Sequence, residues 1–212
     1  MRLRPLPLAL IVCCLLASAG LLSWRHSRAQ AFNGRDAAAD ATTATLPEFM
    51  QLPDFELVNR DGRPIHKADL LGHVWILDFI YSDCTSFCPL MTRQMTVLRG
   101  KLGPNTDIRS ISISVDPDKD KPAVLQKYAE SNAAVTDKWL YLTGDSQQIL
   151  RLLKTMYFVP QNATRIDRDM HSTRFVLIDK TATVRGFYLR GDDQQQQKLV
   201  GDAGVLDAML LK

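Results

Sequence analysis

The chain has 212 residues, 46% of them hydrophobic and 23% charged, which suits one globular domain with an accessory segment and excludes a disordered chain. Its formal charge of +3 comes from one end. Residues 1–30 hold Arg2, Arg4, Arg25 and Arg28 and no acid, while the remaining 22 basic residues face 23 acidic ones, so the rest has no basic footprint for nucleic acid.

From Pro5 to Trp24 no residue is charged. About twenty apolar residues suffice to cross a bilayer as a helix, and this run is longer than the core of an ordinary signal peptide. Residues 1–30 are expected to be an uncleaved signal-anchor in the inner (cytoplasmic) membrane, with the rest of the chain on its periplasmic side. Small-residue motifs at Ala17-Ser18-Ala19 and Ala29-Gln30-Ala31 keep cleavage open as the alternative. Cys13 and Cys14 sit inside the apolar run and read as filler. Residues 31–47 are small and polar without apolar period, a flexible linker, and the folded domain is expected over 48–212.

The first predicted element is a small hairpin, FELVNRDGRPIH, turning at Asp61-Gly62. HVWILDFIYS follows, a nearly continuous apolar run expected of a strand buried on both faces. CPLMTRQMTVLRGKLG carries Leu90, Met91, Gln94, Met95 and Leu98 at helical spacing and stops at Gly103-Pro104. DIRSISISVD is the next strand, and KPAVLQKYAESN a helix with Pro122 tolerated in its first turn. KWLYLTG is a strand and DSQQILRLLKTMYF a helix. A loop then leads to STRFVLIDKTATVRGFYLRG, a hairpin turning near Asp179-Lys180, and to a last helix that Gly201 or Gly204 should interrupt. This order implies a mixed central sheet flanked by helices on both faces, the thioredoxin-like plan.

The domain's two cysteines, Cys84 and Cys88, fall where the buried strand ends and a helix begins. Unpaired N–H groups and the positive dipole end at a helix start favour thiolate, the form that attacks disulfides and binds metal. A structural disulfide across four residues would close too small a loop to add much stability. Zinc would want four ligands, and the domain has no second cysteine pair; cuprous copper accepts fewer and prefers sulfur, with imidazole as a third donor. Of the four histidines, His26 flanks the anchor, and His66 and His73 precede the cysteine strand. His171 stands directly before a strand, after a long loop. Met91 and Met95 read as core. Asp116 reads as a cap for the turn at Pro117 and the helix after it.

Three stretches in one order carry a family resemblance: DFIYSDCTSFCPLM with its Cys-x-x-x-Cys-Pro, ISISVDPDKDKPAVLQKYA with Val115-Asp116-Pro117, and MHSTRFVLIDKTATVRGFY with its single histidine. The chain resembles the Sco/SenC family of membrane-tethered, thioredoxin-like copper proteins. The resemblance implies copper, cuprous or cupric, bound by Cys84, Cys88 and His171. It also implies a role in building the binuclear copper site of cytochrome c oxidase subunit II, with an upstream copper donor and a thioredoxin-like reductant as further partners. Many members have Pro-Asp after the first cysteine, where this chain has Thr85-Ser86 and places its acid at Asp83. Coordination needs both thiols deprotonated, so a Cys84–Cys88 disulfide would expel the metal. The same redox couple would also reduce a partner's disulfide. A thiol–disulfide oxidoreductase with copper incidental is the rival reading. A peroxide-reducing enzyme is the lesser one, since Arg93 is the only basic residue near the pair in sequence.

Overall fold

The computed structural model describes residues 46–85, 87–104, 106–167 and 173–209, so the expected anchor and most of the linker lie outside the described residues. Within them the strands are β1 (Met50–Gln51), β2 (Glu56–Asn59), β3 (Pro64–His66), β4 (Trp75–Ile80), β5 (Arg109–Ser114), β6 (Trp139–Gly144), β7 (Arg174–Ile178) and β8 (Thr183–Leu189). The helices are α1 (Phe87–Leu102), α2 (Pro122–Ser131), α3 (Ser146–Thr155) and α4 (Asp193–Ala208), with a short 3-10 turn at Lys67–Leu70. Among the described residues no helix is long and apolar enough to cross a membrane.

The strands form one mixed sheet in the order β1-β8-β7-β4-β5-β6-β2-β3. Its centre, β4-β5-β6, is parallel, and every other pairing is antiparallel. All six residues of β4 are buried, because helices cover both faces. Trp75, Leu77 and Phe79 meet Ile149, Leu152 and Leu153 of α3 on one side. Ile76 and Ile80 share the other core with Met91, Met95 and Leu98 of α1, Leu125 of α2, and Leu199, Ala203 and Leu206 of α4. The crossovers through α1 and α2 lie on the same face, as two successive connections of one hand require. Met91 and Met95 are core residues, as their spacing predicts.

The first hairpin turns at Gly62, whose φ of 83° lies in the left-handed region that favours glycine. The other glycine expectation was wrong. Helix α4 runs unbroken through Gly201 and Gly204, which both lie on its exposed face with open space around them. Each costs about 1 kcal/mol of helix propensity. The buried stripe Leu199, Ala203 and Leu206, and Asp192 capping the N–H groups of Gln194 and Gln195, outweigh that.

Gly186 on β8 is small for a different reason. A Cβ there would come within 2.5–2.7 Å of the Tyr188 ring and hydroxyl, and that hydroxyl donates to Asp202 of α4 at 2.5 Å. Gly186→Ala should displace the ring, break the α4 contact and lower stability by about 2 kcal/mol in urea unfolding. An unchanged midpoint would mean that Tyr188 swings aside freely.

Candidate functional site

Strand β4 ends at Ile80, whose carbonyl receives the Val115 N–H at 2.8 Å. The chain then turns, with the Cys84 N–H donating to the Tyr81 carbonyl at 3.3 Å, and α1 begins at Phe87. Cys84 therefore precedes the helix and Cys88 is its second residue. The Cys88 N–H, one of the groups a helix start leaves without an intrahelical partner, donates to Cys84 Sγ at 3.3 Å. Neither cysteine is in a disulfide, and they are 4% and 1% exposed. That backbone donor stabilises negative charge on Cys84.

A thiolate-favouring helix start was expected for both cysteines; it serves only the first. Cys88 points into the core shared by α1 and α2, and burial pushes its thiol far up, against a backbone hydrogen bond at Tyr81 that pulls it down. Cys84 and Asp78 nearby raise it further. The two sulfurs thus have different jobs available. Cys84 carries the backbone donor on its sulfur, and Cys88 holds its proton until something displaces it.

His171 lies outside the described residues. Among the described residues no group of three or more His, Cys, Asp or Glu is arranged to hold a metal. The other two histidines of the domain sit away from the pair. His73 precedes β4 at the opposite end, with Nδ1 to Asp107 at 2.7 Å and Nε2 to Arg109 at 2.8 Å. His66 is on β3, at the edge of the sheet. Asp83, just before Cys84, forms an exposed ion pair with Lys119 at 2.8 Å.

Two buried acids were not anticipated. Asp120 reaches back to the cysteine loop. One side-chain oxygen accepts the Ser82 N–H at 3.0 Å and the Ser114 hydroxyl at 2.5 Å, and the other accepts the Ser82 hydroxyl. Asp116, expected to cap, supplies its backbone carbonyl to the N–H groups of Lys119 and Asp120; the helix itself starts at Lys121-Pro122. Asp78 occupies the middle of β4 on the cysteine side of the sheet, alternating with Ile76 and Ile80. Its Oδ1 accepts from Ser112 at 2.6 Å, Ser112 in turn accepts from the Trp139 indole, and Oδ2 is buried without a partner. Burial raises its pKa from 3.8 to about 7. An aspartate inside the run WILDFI was the signal for it in the sequence.

A buried cysteine pair at the start of the helix after a central parallel strand, in a mixed sheet covered on both faces, defines a thioredoxin-like thiol protein. The SCO1/SenC family model matches residues 44–201, and the chain belongs to that family. It is 34% identical over 155 residues to the SCO1 protein homolog of Bacillus subtilis, covering 72% of this chain and 80% of that one. The solved structure of BsSco, described as carrying a disulfide switch and belonging to the Sco family of cytochrome c oxidase assembly proteins, superposes with a TM-score of 0.67. It is 30% identical, over 78% of this chain and 98% of that one. Yeast Sco1 with copper bound shares the fold at 20% identity, with a TM-score of 0.61 over 77% of this chain and 97% of that one.

Proposed function

We propose that this chain is a copper chaperone that carries one copper ion on the thiolates of Cys84 and Cys88 and the imidazole of His171. Its acceptor is the binuclear copper site of cytochrome c oxidase subunit II. The observation that carries the reading is the placing of both cysteines at one helix start, where the Cys88 backbone N–H donates to Cys84 Sγ, in a family with a member solved holding copper. Two adjacent soft sulfurs suit cuprous copper, and a third donor with one open side would let the ion pass to an acceptor cysteine by ligand exchange. The burial of Cys88 adds a condition: copper must displace a firmly held proton, so apparent affinity should rise with pH through the neutral range. An upstream donor loads the site, a thioredoxin-like reductant keeps the pair reduced, and residues 1–30 tether the domain to the periplasmic face of the inner membrane.

The unequal thiols also favour a second use of the pair. Cys84 thiolate attacks an acceptor disulfide and forms a mixed disulfide, releasing one acceptor thiolate. Cys88, once deprotonated, attacks Cys84 and releases the second, leaving the acceptor reduced by two electrons and this chain with a Cys84–Cys88 disulfide.

The test is a copper(I) titration of the reduced full-length chain in an uncharged detergent. The expected result is one tightly bound ion, lost in Cys84→Ser and Cys88→Ser and weakened at least tenfold in His171→Ala. Weak binding indifferent to His171 would sink the chaperone reading in favour of a thiol–disulfide oxidoreductase.

A further inference from the structure

Arg190 follows the last residue of β8, and its N–H donates to the Thr173 carbonyl at 2.8 Å, tying it beside the start of β7. Its side chain crosses to α1, where the guanidinium lies over the Phe87 ring, 5.3 Å from the centroid. Phe87 immediately precedes Cys88 and is 42% exposed; Leu90, one turn on, is 41% exposed. Three other arginines of the domain show what a settled guanidinium looks like here. Arg185 holds Asp179 at 2.7 Å and two backbone carbonyls, Arg60 holds two carbonyls, and Arg99 holds Ser110 and the Lys138 carbonyl. Arg190, by contrast, has no carboxylate and no side-chain acceptor among the described residues, and its Nε is buried without a partner. Lys119, which meets the cysteine loop at Asp83, is already paired there with a carboxylate. A guanidinium lying over an aromatic ring keeps a planar fork of donors aimed past the ring edge, in the geometry that a carboxylate fills.

We propose that Phe87, Leu90 and Arg190 form a docking rim beside the cysteine pair that selects a polypeptide carrying a carboxylate next to its reacting sulfur. The partner's apolar surface lies on Phe87 and Leu90, and its carboxylate fills the Arg190 fork. This rests on the proposed reading of Cys84 as the sulfur that meets a partner, and it names that partner's chemistry.

The charge preference is readable without the natural partner. Reduced full-length chain in an uncharged detergent is mixed with an anionic aromatic disulfide, 5,5′-dithiobis(2-nitrobenzoate), or with a cationic one, cystamine. In either reaction Cys84 thiolate attacks one sulfur, the probe's S–S bond breaks, and one probe thiolate leaves with the bonding electron pair. Cys88, once deprotonated, then displaces the second. Arg190→Glu should lower the ratio of anionic to cationic rates about tenfold at low salt, and Arg190→Met about threefold, with Arg190→Lys between Met and wild type because it keeps the charge and loses the fork. The differences should collapse at about 1 M salt. A ratio within twofold of wild type in both Arg190→Glu and Arg190→Met overturns the rim. The copper titration of the wild-type chain reports separately on the cargo, so failure of that reading leaves the rate ratio interpretable.

Discussion

Asp78→Asn should stabilise the protein strongly at pH 8 and less than half as much at pH 5. Asp78 is wholly buried, and its folded pKa of about 7 stands above the 3.8 of a free aspartate. Between about pH 4 and pH 7 the unfolded chain gives up this proton while the folded chain keeps it. The folded state then binds more protons, so stability falls as pH rises through that window. A difference of about three pKa units corresponds to a penalty on the order of 4 kcal/mol once both states are ionised. Asparagine keeps an oxygen for the Ser112 hydroxyl and has nothing to ionise. Its new N–H group faces the position of the unpartnered Oδ2, so the expected gain at pH 8 is about 2–4 kcal/mol, less what that group loses if it finds no acceptor. Urea unfolding of wild type and variant at pH 5, 6.5 and 8 measures it directly. Parallel pH profiles for the two proteins would show that Asp78 ionises in the folded state as easily as in water.

Asp120→Ala should lower stability by about 3–5 kcal/mol and loosen the cysteine loop. Three donors lose their acceptor: the N–H and hydroxyl of Ser82, two residues before Cys84, and the Ser114 hydroxyl at the end of β5. Hydroxyls can turn to water, but the Ser82 N–H is fixed by the backbone and only partly exposed, so its loss is the least recoverable. Asp120→Asn retains one oxygen and should recover roughly half the stability. Amide exchange at Ser82 and Cys84 separates local from global effects. Faster exchange confined to this loop would place the damage beside the cysteines, whereas uniform acceleration would place it in the fold as a whole.

The limits of the sequence reading follow from what each feature depends on. The strand WILDFI, the helix behind Cys88 and the Gly62 turn depend on neighbours within a few positions, and local pattern is enough to find them. The break expected at Gly201 or Gly204 was wrong because propensity was weighed without the packing of α4 that opposes it. His171 was singled out by position and family resemblance, and it lies outside the described residues. Arg190 had no sequence signal at all, since its ring partner is about a hundred positions away.

By itself the sequence determined the order of elements, the placing of Cys84 and Cys88 at a strand-to-helix junction, and the family, because these are local patterns read in order. The tertiary structure alone decided that Cys84 receives a helix-start N–H while Cys88 is pushed into the core, and that Asp78 is desolvated beside them. It also decided that Asp120 reaches across to Ser82. Desolvation and cross-chain hydrogen bonds depend on which distant residues close over a group, and only the folded chain brings those residues together.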